Sequence, residues 1–278
     1  MNRSNSDQLE FDLLTGLPTA ILGPFVSENA RKMIGSLNRS RENNLPTVEL
    51  SALGMTRGEV GLESSSLTKL KSGKEAEPFL SSSGVVYKFF DLSRPLGPKY
   101  SFEPNADGEF EMTQRASAIE EIVKKICVLH DAGCHPTEIV GLAERSDYLI
   151  VKQPEASPQA YSNGIASYPT KDLFIHDLKR ACESMKAVPF VSRGFKEEVF
   201  ATVVGDQAWI IGDLKFSNIM RDSAKQPTII DALTGLVTSR AEKEFPLLSK
   251  AVTAARRWRI EGVFSECEDL LQCEDSDL

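Results

Sequence analysis

The sequence predicts an α+β chain in two lobes: a small antiparallel sheet with one helix, followed by a reduced, mainly helical lobe. Three observations carry this expectation. Short alternating runs broken by Gly, Ser and Asp read as hairpins at residues 77–91, 138–153 and 197–211. Longer stretches at 113–132, 171–188 and 245–262 repeat apolar residues at helical spacing. Between these sets lies PEASPQAYSNGIASYP, a proline-rich connection that marks the expected boundary between lobes. The expected divisions are an extension over 1–45, lobes over 46–153 and 154–265, and an acidic tail over 266–278.

Residues 1–45 are polar and uneven, with one short helix expected at SENARKMIGSLN. Strand-like TVELSAL leads into GMTRGEVGLESSSLTKLKSGKEAE, whose Gly, Ser and charge predict a loop. EPFLSSSGVVYKFFD reads as a hairpin with SSSG as its turn, and residues 94–108 as a further loop. In the 113–132 helix, Ile119, Ile122, Val123, Ile126 and Leu129 form the apolar stripe, and Gly133 suits its C-terminal cap. EIVGLAE and YLIVKQ form the second hairpin. The 171–188 helix turns Leu173, Ile175, Leu178, Cys182, Met185 and Val188 inward. A third hairpin turns at Gly205-Asp206, before the last helix and a frayed tail.

Composition narrows the function classes. The chain has 278 residues, 41% of them apolar and 26% charged, as in an ordinary globular protein with a sizeable core. Its apolar runs are too short to span a bilayer, and MNRSNSDQLEFDLL carries no secretion signal, so a cytoplasmic protein without a membrane partner is expected. A net charge of -8 argues against nucleic acid; Arg256-Arg257-Trp258-Arg259 reads as the solvated end of a helix. Five cysteines without a CxxC pair read as reduced thiols, and the three histidines as structural.

The chemistry concentrates in WIIGDLKFSNIM and the PTIID that follows. Strand, short loop and strand, then another strand ending in a carboxylate, would bring Asp213, Asn218 and Asp231 around one opening. Asn218 and Asp231 are hard oxygen donors suited to magnesium and a phosphoryl group, which leaves Asp213 to orient a nucleophile.

DLKxxN at Asp213–Asn218, its spacing to Asp231, VVYKFFD with Lys88, HPTEIVGL and YLIVKQP occur in an order that resembles the protein-kinase-like superfamily. The resemblance covers about residues 80–235, and the short C-terminal region is similar to compact bacterial and phage kinase-like domains, including those of polyvalent proteins. It implies a two-lobed fold, ATP and Mg2+ as cofactors, and transfer to an unidentified hydroxyl acceptor. In that reading Asp213 handles the acceptor hydroxyl, Lys215 steadies the transferred phosphate, and Asn218 and Asp231 hold the metal. Lys88 and Glu120 position the nucleotide phosphates, and Val151 lies at the hinge. Glu120 borders the apolar stripe of its helix whereas Glu121 points away.

The pattern departs from the family in three places. Ile211-Gly212 replaces the usual histidine before the catalytic loop, ALTG follows Asp231, and Gly54, Gly58 and Gly61 only loosely match a phosphate-covering loop. Lys215 favours a protein Ser/Thr acceptor. Gly212 and the short end favour a small-molecule kinase of the aminoglycoside or sugar type, and the weak glycine loop a binding module without turnover.

Overall fold

The computed structural model describes residues 47–59, 61–71, 75–93, 96–117, 119–162, 165–190 and 199–262. The expected N-terminal extension with its helix, and the acidic tail, lie outside these residues. A 3-10 turn (Leu50–Leu53) precedes β1 (Met55–Arg57), β2 (Leu62–Ser64) and β3 (Thr68–Lys69). Next come β4 (Glu77–Leu80), β5 (Val85–Asp91), β6 (Leu96–Pro104), β7 (Phe110–Ser117) and α1 (Ile119–Ala132). β8 (Glu138–Leu142), β9 (Tyr148–Pro154), β10 (Ala160–Ser162) and β11 (Ile165–Ser167) lead to α2 (Lys171–Ser184). The remainder is β12 (Val188–Phe190), β13 (Val199–Val204), β14 (Gln207–Gly212), β15 (Ile219–Arg221), β16 (Pro227–Ile229), β17 (Leu233–Leu236), α3 (Ser239–Glu244) and α4 (Pro246–Glu261).

This is not the two-lobed fold with a mainly helical second half that the sequence predicts. Strand takes 40% and helix 27% of the described residues, in several small antiparallel sheets with four α-helices. The expectation fails because the second half is built on short β-branched runs. VPF, VFATVV, QAWIIG and LTGL pair as β12-β13-β14-β17, a four-stranded sheet, beside the two-stranded β15–β16. Alternation sorts the faces of that sheet. Val199, Ala201, Val203 and Ile210 pack with Leu248, Ala251, Val252 and Ala255 of α4. Phe200 and Ile211 pack with Leu178, Ala181, Cys182 and Met185 around α2. Ile175, expected inward, is exposed.

The first half is a five-stranded antiparallel sheet in the order β3-β4-β5-β9-β8. Phe90, Leu149 and Val151 face Ile122, Val123, Ile126 and Cys127 of α1. Phe89 and Ile150 face Met55, Leu62 and Phe79 on the opposite side. The stretch expected as loop after Gly54 is thus partly strand, because Met55 and Leu62 are fully buried anchors and Arg57 is tied to Asp147 at 2.9 Å.

Residues 94–108 are also strand over Leu96–Pro104, paired with β7 in a separate ribbon, and the 113–132 pattern is helical only from Ile119. Pro98 and Pro104 disguise this, but in a two-stranded ribbon both strands are edges and tolerate proline. Asn105 Oδ1 accepts from the amides of Asp107 and Glu109 and closes the turn. Tyr100 and Met112 join the ribbon to the α4 side of the second sheet. Among the described residues no helix is long and apolar enough to cross a membrane.

Candidate functional site

β14 ends at Gly212, and the chain then turns sharply. A side chain at Gly212 would place its Cβ 2.3 Å from Tyr100 Oη, so glycine here makes room for the β6–β7 ribbon. Its presence therefore has a packing cause. Asp213 follows with φ of 56°, a left-handed backbone that aspartate tolerates better than most residues. The loop is closed by Asn218, whose amide donates to Lys215 O at 2.9 Å.

Within the loop Asn218 Nδ2 donates to Asp213 O at 2.7 Å and to its Oδ2 at 3.2 Å. Those acceptors fix the amide orientation, and Oδ1 accepts from Ser217 Oγ at 3.1 Å. Lys215 Nζ lies 3.0 Å from both Asp213 carboxylate oxygens. Asp213 and Lys215 face solvent in part, whereas Asn218 is buried.

A second link reaches the first sheet. Ile230 N donates to Asn218 O at 3.0 Å, and Lys88 Nζ donates to Ile230 O at 3.1 Å. Lys88 stands on β5 opposite Val151 of β9. One hydrogen-bonded path thus runs from Lys88 through the residue before Asp231 to Asn218 and Asp213. The structure brings these residues together from positions 142 apart in sequence.

Lys88, Val151 and Asp231 line a cavity of about 40 Å3, with Lys125, His135, Thr137 and Gln153. Part of the Lys88 surface remains open to this cleft, but protein crowds its ammonium and desolvation holds its pKa below the ordinary lysine range. Lys125, on α1, is 6% exposed and lies 2.7 Å from Glu75 and 3.7 Å from Asp231. Desolvation opposes its charge, but the two carboxylates outweigh it and raise its pKa. Burial raises the Glu75 carboxyl. His135 Nε2 meets Pro154 O at 2.8 Å, and desolvation lowers its pKa, which favours the neutral ring. Gln153 Nε2 donates to Thr137 Oγ1 at 2.6 Å.

The sequence expected a carboxylate from α1 beside Lys88. The Glu120 side chain lies outside the described ones, and Glu121 is engaged with Lys99. Among the described side chains of α1, the charged one that lines the cleft is Lys125. Sequence reading missed it and Glu75, although Lys125 sits among Ile122, Ile126 and Leu129, an inward position where a charge is unexpected. His135, read as structural, also lines the cleft. Gly54, Gly58 and Gly61 bracket the β1–β2 hairpin, with Gly58 N donating to Gly61 O at 3.0 Å.

Among the described residues no three His, Cys, Asp or Glu side chains are grouped to hold a metal by themselves. A magnesium ion shared with phosphate takes one or two protein ligands and completes its shell with phosphate and water. Asp231, 46% exposed, and the Asn218 Oδ1 atom have the right chemistry for those ligands. No family model, curated protein or solved structure matches the chain.

Proposed function

We propose that the chain is an ATP- and magnesium-dependent phosphotransferase that acts on a protein serine or threonine hydroxyl. The observation that carries this reading is the path joining Lys88, Ile230-Asp231, Asn218 and Asp213. It unites a cation, two oxygen donors and a part-exposed carboxylate, the groups phosphoryl transfer needs. The reading rests on this constellation and not on the fold class.

Lys88 binds phosphate oxygens, and Asn218 and Asp231 would hold magnesium, which would neutralise charge on the leaving diphosphate. Asp213 accepts the acceptor's proton as the hydroxyl oxygen bonds to the γ-phosphorus and the bond to the β–γ bridging oxygen breaks. Lys215 turns from Asp213 to the transferred group. A cytoplasmic location suits this reading, since ATP is available there.

Lys215 bridging both Asp213 oxygens favours a second reading, a nucleotide-binding module without turnover. Radiolabelled ATP with the protein itself and a generic protein acceptor separates the two. Asp213→Asn should lower transfer roughly a hundredfold and leave ATP–magnesium affinity within a few fold. An unchanged rate sinks the phosphotransferase mechanism; binding without transfer in the parent chain selects the module.

A further inference from the structure

We infer that Lys125 is an internal competitor for the divalent cation at Asp231, with Glu75 as the partner that retains Lys125 when the cation enters. The inference rests on the metal role proposed above for Asp231. Lys125 is 6% exposed, so its ammonium cannot turn to solvent and must divide itself between two carboxylates. These differ in kind. Glu75 is 13% exposed and bonded to Lys125 at 2.7 Å. Its carboxyl occupies space left by Gly97, where an added Cβ would stand 2.1 Å away. Asp231 is 46% exposed and holds Lys125 only at 3.7 Å, longer than a hydrogen bond.

Asp231 is therefore the carboxylate more open to a cation from solvent, and Glu75 the more enclosed. A dication at Asp231 meets the Lys125 charge across a short distance in a poorly hydrated cleft, where repulsion is strong. The Glu75 bond lets Asp231 turn to the cation without stranding the ammonium, since a buried charge without a partner is costly. Lys125 and Glu75 thus act as positioning residues with opposite signs. Removing Lys125 removes the competitor. Removing Glu75 leaves Asp231 as the ammonium's remaining carboxylate and strengthens the competition.

The test uses the full chain without nucleotide and reads Mn2+ binding by the loss of the free-ion paramagnetic signal, independent of turnover. Lys125→Gln should tighten Mn2+ roughly threefold to fivefold and Glu75→Gln should weaken it by a similar factor, the weight of a part-exposed ion pair. Asp231→Asn should abolish the site. Glu121→Gln, on the same helix as Lys125, breaks a pair with Lys99 of β6 and should leave binding unchanged.

If Lys125→Gln does not fold, the double variant Glu75→Leu/Lys125→Met replaces the pair with apolar groups. It must bind Mn2+ more tightly than Glu75→Gln. Shifts of the same sign in both single variants, or no shift, overturn the inference while Asp231→Asn still abolishes binding. Mn2+ binding that survives Asp231→Asn, or no binding in any chain, removes the metal role of Asp231 and this inference with it.

Discussion

Two buried charge clusters in this molecule are built on opposite plans. On α2, Asp177 is 0% exposed, and Arg221 of β15 places one guanidinium nitrogen 2.8 and 2.7 Å from its two oxygens. Tyr168 Oη and His176 Nδ1 each approach that carboxylate at 3.3 Å. The second guanidinium nitrogen of Arg221 donates to Lys225 O at 2.8 Å. In the cleft, Lys88 has one carbonyl, and Lys125 shares two unequal carboxylates. The first cluster surrounds the Asp177 carboxylate with donors, leaves the buried Arg221 Nε as its one orphan among the described residues, and joins α2 to the β15–β16 hairpin that follows the Asp213 loop. The second leaves bonding capacity facing a cavity. Burial alone does not distinguish a structural ion pair from a site; unspent bonds that face a cavity do.

The largest effect expected from this contrast is at Arg221. Arg221→Met strands the Asp177 carboxylate and should cost about 3–5 kcal/mol in unfolding free energy, read by urea denaturation. A loss under about 1 kcal/mol, the range of an exposed pair, would show that the cluster is not closed.

A smaller effect is expected where the second sheet meets the site. Gly212→Ala sets a methyl against the Tyr100 ring, with the hydroxyl 2.3 Å from the new Cβ. Overpacking of that kind costs about 1–3 kcal/mol. The Asp213 turn moves with it, so transfer activity should fall along with thermal stability. Full stability in Gly212→Ala would mean that the ribbon yields easily and that the glycine has another cause.

The local geometry of the candidate site was legible in part, because it is built from neighbouring residues. The strand–loop–strand around Asp213–Asn218 and the strand ending before Asp231 follow from alternation and turn chemistry, and Lys88 shares a face with Phe90 by the period of a strand. The fold class was not legible. Its second half depends on which partners runs as short as Val188–Phe190 and Leu233–Leu236 find, the latter across the β15–β16 hairpin, and periodicity cannot report that. The β6 strand was hidden by its prolines, because a sequence does not say that a strand will remain an edge. Lys125 and Glu75 were missed for a related reason: their pairing joins residues 50 apart through a loop and a helix with no shared motif.

The smallest stability effect, and the sharpest use of the contrast, is at Lys88. Desolvation of its ammonium, with the repulsion of Lys125, outweighs the attraction of Asp231 and Glu75 and the single carbonyl bond, and the depressed pKa expresses that imbalance. Lys88→Met keeps the apolar stem and removes the charge, so its unfolding free energy should lie within about 1 kcal/mol of the parent or above it, unlike Arg221→Met. ATP affinity should fall in the same variant. The sign with pH is fixed by linkage. The folded pKa lies below the ordinary value of 10.5, so between the two the unfolded chain holds more protons at this position. The Lys88 penalty is full below its folded pKa and fades as pH rises toward 10.5. The advantage of Lys88→Met over the parent should therefore be greatest at neutral pH and shrink in alkali. Denaturation curves across that range decide the matter. An advantage that grows with pH, or a loss as large as that of Arg221→Met, would show that the Lys88 charge is paired for stability, and the distinction between the two clusters would collapse.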